Sequence, residues 1–338
     1  MKAAVNRHWK RVVMIVILVV LIIASLLIGS FGEVSFSALR AGDDMALLVF
    51  WRSRVPRTVA IILSGAGLSV GGLIMQAISR NKFMSPGTSG ATDAAALGLL
   101  LTFIFLPQQS GLVQTLLAFI FAFLATMLFI LIINRLKIRE VFYIPLLGMM
   151  YGSVIAAIAT AVAFHFDAIQ MLNAFNLASF ARLGHFEMVY LVLIPLLFTT
   201  LYATKLSIIG LGPDFAKNLG VNYQRVVLIG LILISLISAA TFVSIGPLPF
   251  VGLIVPNMAT AFYGDNIKKS LLDLMMFGAV FVLLCDVISR LVIYPFEMNV
   301  SVTISLIGGI IFMFYLIRGI SGGRKRISNA KNTNTATT

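Results

Sequence analysis

The chain has 338 residues, of which 60% are hydrophobic and 11% are charged, and its mean hydropathy is +1.04. Soluble domains carry roughly 25% charged residues, so this composition excludes a soluble globular protein and indicates an integral membrane protein. The net charge of +13 does not indicate nucleic-acid binding, because the basic residues are scattered through short loops beside apolar runs.

Ten apolar runs are long enough to cross the membrane as helices. Each has about 17 to 23 residues, which matches a hydrocarbon core of roughly 30 Å. They lie near residues 12–30, 58–78, 88–106, 112–133, 141–163, 188–204, 226–245, 247–263, 271–293 and 300–317. The sequence therefore predicts an all-α integral membrane protein in which residues 1–338 form a single transmembrane domain of ten helices.

The first run follows a basic segment, residues 1–11, and so has the outline of a signal peptide. It is about 19 residues long, however, and Ser30-Phe31-Gly32 is a poor small-x-small cleavage site. We therefore expect a retained transmembrane helix.

Basic residues predict the orientation of the ten helices. An even number of crossings leaves both termini on one side. Nineteen of the 25 Lys and Arg residues lie in the segments 1–11, 79–87, 134–140, 205–225, 264–270 and 318–338. By the positive-inside rule these segments and both termini are cytoplasmic. The tail, 319–338, contains Arg324-Lys325-Arg326 and is expected to be a disordered basic anchor on lipid, or a solvated end without a role.

Four of the six remaining basic residues are concentrated at two places on the predicted outer side. Arg52, Arg54 and Arg57 precede the second apolar run, and Arg290 ends the ninth. They either snorkel to lipid headgroups or form a docking surface for an acidic partner. Asp286 lies four residues before Arg290 on the same helix and is expected to neutralise that arginine.

The third and eighth runs are the least regular of the ten. If the first and sixth helices are peripheral, helices two to five and seven to ten form antiparallel blocks, the arrangement of inverted repeats, and the third and eighth runs correspond. The third opens with residues 86–93, and the eighth contains Pro247, Pro249, Gly252, Pro256 and Asn257. Broken helices are tolerated where protein or a water-filled cavity satisfies the backbone, so Asp93, Pro256 and Asn257 are candidates for lining a translocation path. The alternative for Asp93 is that it caps the local backbone at the start of its span.

Small residues at four-residue spacing predict close helix packing, either within the bundle or at a subunit interface of the fifth and tenth helices. They are Gly67 and Gly71, then Gly148, Gly152 and Ala156, and finally Ser301, Ser305 and Gly309.

Residues 212–221 form a polar segment bounded by glycines, between two long apolar runs on the predicted cytoplasmic side. The segment is either an ordinary connector or a helical turn offered to a partner in water.

The sequence gives no basis for a catalytic or metal site. The single cysteine is Cys285, and the histidines are His8, His165 and His185, so neither a disulfide nor a metal site can be argued and no cofactor is expected. No phosphate-cradling GxxxxGK[ST] run occurs, and a nucleophile-base arrangement is absent. An enzyme is therefore not predicted.

Six motifs occur in an order that resembles a known family. They are Arg54-Val-Pro-Arg57, the run from Gly65 through Gln76-Ala-Ile-Ser-Arg-Asn, Gly212 to Val221, Gly246 to Pro256, Asp286-Val-Ile-Ser-Arg290 and Pro295-Phe-Glu297. Together they resemble the FecCD-type permeases of bacterial ABC importers, the class that includes the cobalamin and ferric-siderophore importers. The resemblance covers residues from about 15 to 318.

The resemblance implies a ten-helix subunit like the cobalamin-importer permease, in the cytoplasmic membrane of a bacterium. It implies three partners: a second permease subunit, identical or homologous, an ABC ATPase dimer and an extracytoplasmic substrate-binding protein. It also implies that Arg54, Arg57 and Arg290 receive glutamates of the binding protein. The coupling helix in the ATPase groove would comprise Gly212, Asp214, Phe215, Ala216, Lys217, Leu219, Gly220 and Val221.

Two departures from the family pattern concern the substrate and the coupling helix. Asn257, Thr260 and Gly264-Asp265-Asn266 replace a Val-Pro-His and Arg pattern of many relatives, which favours a ferric siderophore of catechol or mixed type over cobalamin. Pro213 stands where the family usually has another helix former, but proline is acceptable in a first helical turn.

The sequence thus predicts the permease subunit of an ATP-driven importer for an iron-siderophore complex. The alternative is a secondary transporter driven by a proton or sodium gradient, with Asp93 or Asp286 as the ion site. That alternative has no use for a docking helix at 212–221.

Overall fold

The structure is a computed structural model that describes residues 2–28, 43–136, 143–178, 180, 186–263, 267–294 and 296–314. Regular structure in these ranges is helical throughout, which confirms the predicted all-α class. The predicted tail 319–338 and the departure at 264–266 lie outside the described residues.

Thirteen α-helices occur in the described ranges, together with 3-10 turns at Gly87–Ser89 and Phe186–Val192. The helices are α1 (Lys2–Leu27), α2 (Asp44–Val49), α3 (Val55–Ser79), α4 (Ala91–Phe105), α5 (Gly111–Leu136), α6 (Tyr143–His165), α7 (Ile169–Phe175), α8 (Leu193–Ile209), α9 (Pro213–Asn218), α10 (Tyr223–Ile245), α11 (Val251–Tyr263), α12 (Ile267–Leu291) and α13 (Val300–Phe314).

Ten apolar helices of the described chain correspond to the ten predicted runs. Seven are long and apolar enough to cross a membrane, and α4, α11 and α13 are shorter. The two irregular runs predicted from proline and glycine are among the short ones, because α4 begins only after the 81–90 turn and α11 only after an extended stretch at 246–249. The count of ten crossings stays a prediction.

The second span differs from its predicted start. A π-helical turn, Phe50–Arg54, joins α2 to α3, so helix runs without a break through Asp44–Ser79. Pro56 lies in the first turn of α3, where it lacks an N–H group to donate, and a π-bulge accommodates such a gap in the helical hydrogen-bond ladder. The arginines predicted to precede the span are consequently residues of the helix.

Helix α3 lies at the centre of the bundle and packs against α8, α10, α11 and α12. Glycines allow the closest contacts: a Cβ added to Gly65 would lie 2.8 Å from the backbone carbon of Gly278 on α12. On the next turns Gly72 contacts the backbone of Gly252, whose carbonyl has no helical donor because Pro256 lacks an N–H group. The predicted pair, Gly67 and Gly71, instead faces the side chain of Ile237, so the close approach of backbones lies at Gly65 and Gly72 and not at the predicted positions.

The inverted-repeat hypothesis assumed that the first and sixth helices are peripheral, and this is correct for the first helix only. Helix α1 is largely exposed to the surroundings of the subunit, with 6% of its span buried. Helix α8, the sixth span, instead contributes Leu206 and Ile209 to the main core. Helix α8 packs between α3 and α10. Of the two helices assumed to be peripheral, only α1 is therefore peripheral. The inverted repeat stays a prediction.

Two polar contacts hold α1 against α12 and α11 near its N-terminal end. Arg11 donates from Nε to Asp273 at 2.5 Å, and Lys10 donates to the carbonyl of Phe262 at 3.3 Å. The carbonyl of Phe262 lies in the last turn of α11, where helical carbonyls have no intrahelical donor.

Candidate functional site

The two broken segments meet around a cavity of about 260 Å³. Its walls come from the 85–88 turn, the first turn of α4, the non-helical stretch 246–250, Met149 of α6 and one face of α10. The sequence predicted that the third and eighth runs line or gate a path, and the cavity lies where they approach each other.

Asp93 is held at this cavity by the start of α4. Gly90 has a φ of 75°, which turns the chain so that α4 begins at Ala91 and places Asp93 in the first turn. A carboxylate is favourable there because the N-terminal N–H groups carry partial positive charge. The side chain lies against Gly152 of α6, where an added Cβ would be 2.6 Å from Oδ2 of Asp93. Gly152 therefore makes room for the acid.

The turn before α4 is held by reciprocal hydrogen bonds. The N–H of Ser85 donates to Oγ1 of Thr88 at 2.9 Å, and the N–H of Thr88 donates to Oγ of Ser85 at 3.2 Å. Gly148 contacts the backbone carbonyl of Thr88, so the small residues of α6 pack against this turn. At Gly148 and Gly152 the predicted close packing lies within the bundle, whereas Gly309 has no atom of the described chain within 4 Å of an added Cβ.

Of the three candidate path residues, only Asp93 lines the cavity. Asn257 donates from Nδ2 to the carbonyls of Lys82 at 2.7 Å and Leu253 at 2.8 Å. Its side chain thus ties α11 to the turn that precedes α4. Pro256 is buried beside the α3–α11 contact. Both residues support the walls of the cavity but do not form them.

Residues that the sequence did not single out complete the lining. Ser238 and Thr241 of α10 reach the cavity through their positions three apart on one helix face. The hydroxyl of Thr241 donates to the carbonyl of Ile237 at 2.6 Å. Ser238 Oγ has no hydrogen-bond partner among the described residues. Serine and threonine are common in apolar helices, so their presence in the sequence does not indicate a site. Only the packing of α10 against α4 identifies Ser238 and Thr241 as residues that line the cavity.

The outer arginines form a buried ion cluster, here called the arginine cluster: Arg54, Arg57 and Arg290 with Asp286 and Glu297. Arg57 donates to both carboxylate oxygens of Glu297, at 2.7 and 3.0 Å, and to Asp286 at 2.8 Å. Asp286 also pairs with Arg290, which confirms the pair predicted from the four-residue spacing. Asp286 thus bridges two helices.

The arginine cluster also satisfies the end of α1. Arg290 donates to the carbonyls of Ser25 at 2.8 Å and Ile28 at 2.7 Å, and Arg54 donates to that of Ile28 at 2.5 Å. These carbonyls belong to the last turn of α1 and the residue after it, where helical donors are missing. The cluster therefore joins α1, α3 and α12 to the segment before α13.

Burial changes the interpretation of these arginines as a docking surface. Arg54, Arg57 and Arg290 are 5%, 7% and 1% exposed. Carboxylates and helix-terminal carbonyls inside the chain accept hydrogen bonds from their guanidinium groups, so these three side chains are not free at the surface of the subunit as described. Arg52, which lies two positions before the buried Arg54, is exposed. Docking of a partner at the three buried arginines stays a prediction.

The 212–221 segment is a short helix between two glycines with positive φ. Gly212 has a φ of 110°, Pro213–Asn218 forms α9, and Gly220 has a φ of 69° and reverses the chain towards α10. The N–H of Val221 donates to the carbonyl of Ala216 at 2.8 Å, which closes the turn, and Ala216 is fully buried. Ala216 anchors α9 to the bundle.

Three large apolar side chains in and next to this segment are exposed. Leu211, Phe215 and Leu219 are spaced four apart and are 60%, 62% and 58% exposed. Asp214 and Lys217 are exposed beside them. This coupling stripe, Leu211, Phe215 and Leu219, includes Leu211, which the sequence interpretation missed although its spacing from Phe215 was visible.

The chain resembles known proteins over nearly its whole length. The FecCD transport family matches residues 17–318. The chain is 39% identical over 305 residues to the petrobactin import system permease protein YclN of Bacillus subtilis (strain 168), covering 90% of this chain and 96% of that protein. It is 38% identical over 290 residues to the ferric-anguibactin transport system permease protein FatD of Vibrio anguillarum, covering 85% and 92% of the two chains.

A solved structure shares the fold. An inward-facing metal-chelate type ABC transporter superposes with a TM-score of 0.74 at 23% identity, covering 90% of this chain and 97% of that one. The order of the motifs, the packing of the helices and the extent of the family match agree with one another. This chain belongs to the FecCD transport family.

Proposed function

We propose that this chain is the membrane-spanning permease subunit of an ATP-driven importer that moves an iron-siderophore complex into the cytoplasm. The family match supports transport, and two similar proteins are named as permeases of petrobactin and ferric-anguibactin systems. The substrate class rests on those relatives and on the departures at Asn257 and Thr260.

The coupling stripe is the observation that carries the proposal. Three large apolar side chains at about 60% exposure lie on or beside a short helix between two spans, on the side that the basic loops assign to the cytoplasm: Phe215 belongs to α9, and Leu211 and Leu219 flank it. Contact with lipid does not explain the exposure of these apolar side chains, because the charged residues Asp214 and Lys217 lie exposed on the same short helix. A partner protein with an apolar groove would remove roughly 1.5 to 3 kcal/mol of unfavourable exposure for each large side chain.

The partners follow from this arrangement. An ABC ATPase dimer would receive α9 and its flanking glycines, and ATP binding would move that element relative to the bundle. A second permease subunit, identical or homologous, would cover the outward face of α6 and α13, where Gly309 has open space. The cavity at Asp93 would then lie beside the path between the two subunits.

Reconstituted transport tests the energy source. We expect the chain, assembled with its ATPase and a binding protein loaded with a radiolabelled ferric siderophore, to accumulate iron in proteoliposomes only with hydrolysable ATP. Uptake should not change when an ionophore collapses the proton or sodium gradient. Uptake by the purified chain alone, driven by such a gradient, would contradict the proposal and establish a secondary transporter.

We also propose that an extracytoplasmic binding protein docks beside the arginine cluster and that Arg52 is the arginine it reaches first. Reversal of this exposed charge, Arg52→Glu, should weaken association about two- to tenfold at low salt, and less at high salt. Association is measured by surface plasmon resonance with the permease in nanodiscs. Arg135→Glu, an exposed charge on the predicted cytoplasmic side, is the matched control. Equal, salt-independent affinities of both variants and the parent would make Arg52 a headgroup anchor only.

A further inference from the structure

The cavity between α4, α6 and α10 contains one acidic side chain in mainly apolar walls. Asp93 is the only charged residue among those that line it, all of which belong to the described part of the chain. The other walls include Leu68, Met149, Phe242 and Phe250. A carboxylate in such surroundings loses hydration, and this loss is compensated only by a partner of opposite charge or by several donors.

The described chain supplies no such partner. Asp93 forms no ion pair with any described residue, and no described side chain donates a hydrogen bond to its carboxylate. The nearest neighbour across the cavity wall is Gly152, which has no side chain to offer. The compensation within the described chain comes from the backbone N–H of Asp93 itself and from the partial positive charge of the first turn of α4, and both are weaker than an ion pair. The acid therefore has no partner of opposite charge among the described residues.

Ser238 provides a polar group without a hydrogen-bond partner in the same cavity. It is 3% exposed, and its Oγ has no hydrogen-bond partner among the described residues. The neighbouring hydroxyl of Thr241 is occupied by the carbonyl of Ile237. Most buried polar atoms in proteins have a partner, so an unpaired hydroxyl that lines a cavity indicates a ligand in that cavity.

We infer that this cavity is a subsite for an organic ammonium group carried on an aliphatic arm of the imported chelate. The carboxylate of Asp93 accepts from the ammonium N–H, and Oγ of Ser238 accepts a second hydrogen bond. Phe242 and Phe250 also line the cavity, where aromatic rings can attract a cation, and the remaining apolar walls cover the arm. A bare divalent metal fits less well, because Ca²⁺ and Mg²⁺ take six or more oxygen ligands.

The first experiment tests the cavity itself and does not depend on transport. The single cysteine, Cys285, is buried, so Cys285→Ala gives a background without reactive thiols. Met149→Cys then places a reporter at the cavity, since Met149 is 52% exposed and lies one turn before Gly152. The full-length chain in nanodiscs is labelled with cationic and anionic methanethiosulfonate reagents. Asn218→Cys, exposed on α9, reports the intrinsic ratio of the two rates.

With Asp93 present, the cationic reagent should modify the Met149→Cys reporter about tenfold faster relative to the anionic one than it modifies the Asn218→Cys control. Asp93→Asn, which preserves size, should return the ratio to that of the control. Millimolar butylammonium should slow labelling, and Ser238→Ala should weaken this protection. Equal ratios with Asp93 and with Asn overturn the inference. If Asp93→Asn does not fold, absence of butylammonium protection in the chain that keeps Asp93 overturns it.

The second experiment extends the subsite to the chelate and rests on the proposed function. Uptake by the reconstituted importer is compared for a ferric chelate with a free amine arm and for its N-acetylated counterpart. We expect a preference for the free amine with Asp93, measured as the ratio of the two uptake rates, and loss of that preference in Asp93→Asn. An equal fall for both chelates contradicts the subsite. Failure of the parent to import either chelate contradicts the proposed function, while the labelling ratio still decides the cation site.

Discussion

Replacing Gly220 with valine is expected to abolish ATP-driven uptake while leaving the subunit folded in the membrane. Gly220 has a φ of 69°, a left-handed conformation that costs a β-branched residue roughly 1 to 2 kcal/mol or more. An added Cβ meets nothing within 4 Å, so the strain is relieved by local movement of the turn after α9 and not by disruption of the bundle. The coupling stripe would then be misaligned with the ATPase groove.

Asparagine at the same position is the matched control. Gly220→Asn adds a side chain but tolerates the left-handed conformation, so it should keep most of the uptake. Uptake and ATPase co-purification are measured for both variants, with size-exclusion chromatography as the check of folding. Equal uptake by the valine and asparagine variants would show that the geometry of this turn does not matter.

A second pair of variants separates the stripe from the turn. Phe215→Asp replaces a 62% exposed aromatic residue by a charge and should prevent ATPase binding, with a loss of at least about tenfold in apparent affinity. Phe215→Leu keeps an apolar side chain and should lose little. Ala216→Glu should fail in another way, because Ala216 is fully buried and its substitution would detach α9 from the bundle. Undiminished ATPase binding by Phe215→Asp would refute the coupling assignment.

Asp286→Asn is expected to destabilise the subunit by about 3 to 5 kcal/mol, the usual cost of removing one partner from a buried ion pair. Asp286 is fully buried and accepts from Arg57 and Arg290, so its neutralisation leaves three buried arginines with Glu297 alone. The C-terminal end of α1 should loosen first, since Arg290 and Arg54 satisfy its carbonyls. The measurements are thermal unfolding in detergent and folded yield.

Asp273→Asn is the comparison for this prediction. Asp273 is also fully buried, but its partner Arg11 has a side chain that is 33% exposed, so water can solvate the arginine after the change. We expect a smaller loss of thermal stability than for Asp286→Asn. Residual uptake by the Asp286→Asn importer should be indifferent to a collapsed proton gradient. A variant that is as stable as the parent but has lost gradient-driven uptake would identify Asp286 as an ion site.

The sequence by itself determined the features that depend on local composition. The lengths of the apolar runs predict the helices, because each must match the thickness of the hydrocarbon core. Proline and glycine at 86–90 and 246–252 predicted the two broken segments, since these residues remove donors or permit positive φ. The pair of Asp286 with Arg290 followed from a spacing of four on one helix, and the short helical turn at 212–221 followed from its polar residues and flanking glycines.

Only the tertiary structure decided which distant residues meet. Arg57 pairs with Asp286 and Glu297, which lie 229 and 240 positions later in the sequence, and no periodicity encodes that contact. The burial of the outer arginines was missed because a charged residue beside a span is normally expected to be exposed. Only the tertiary structure shows that the carbonyls at the C-terminal end of α1 accept hydrogen bonds from these arginines. The cavity likewise depends on α10 placing Ser238 opposite the turn that holds Asp93, and on Gly152 leaving room for that acid. Such sites arise from the packing of helices against one another, whereas a single chain segment carries information only about its own helix.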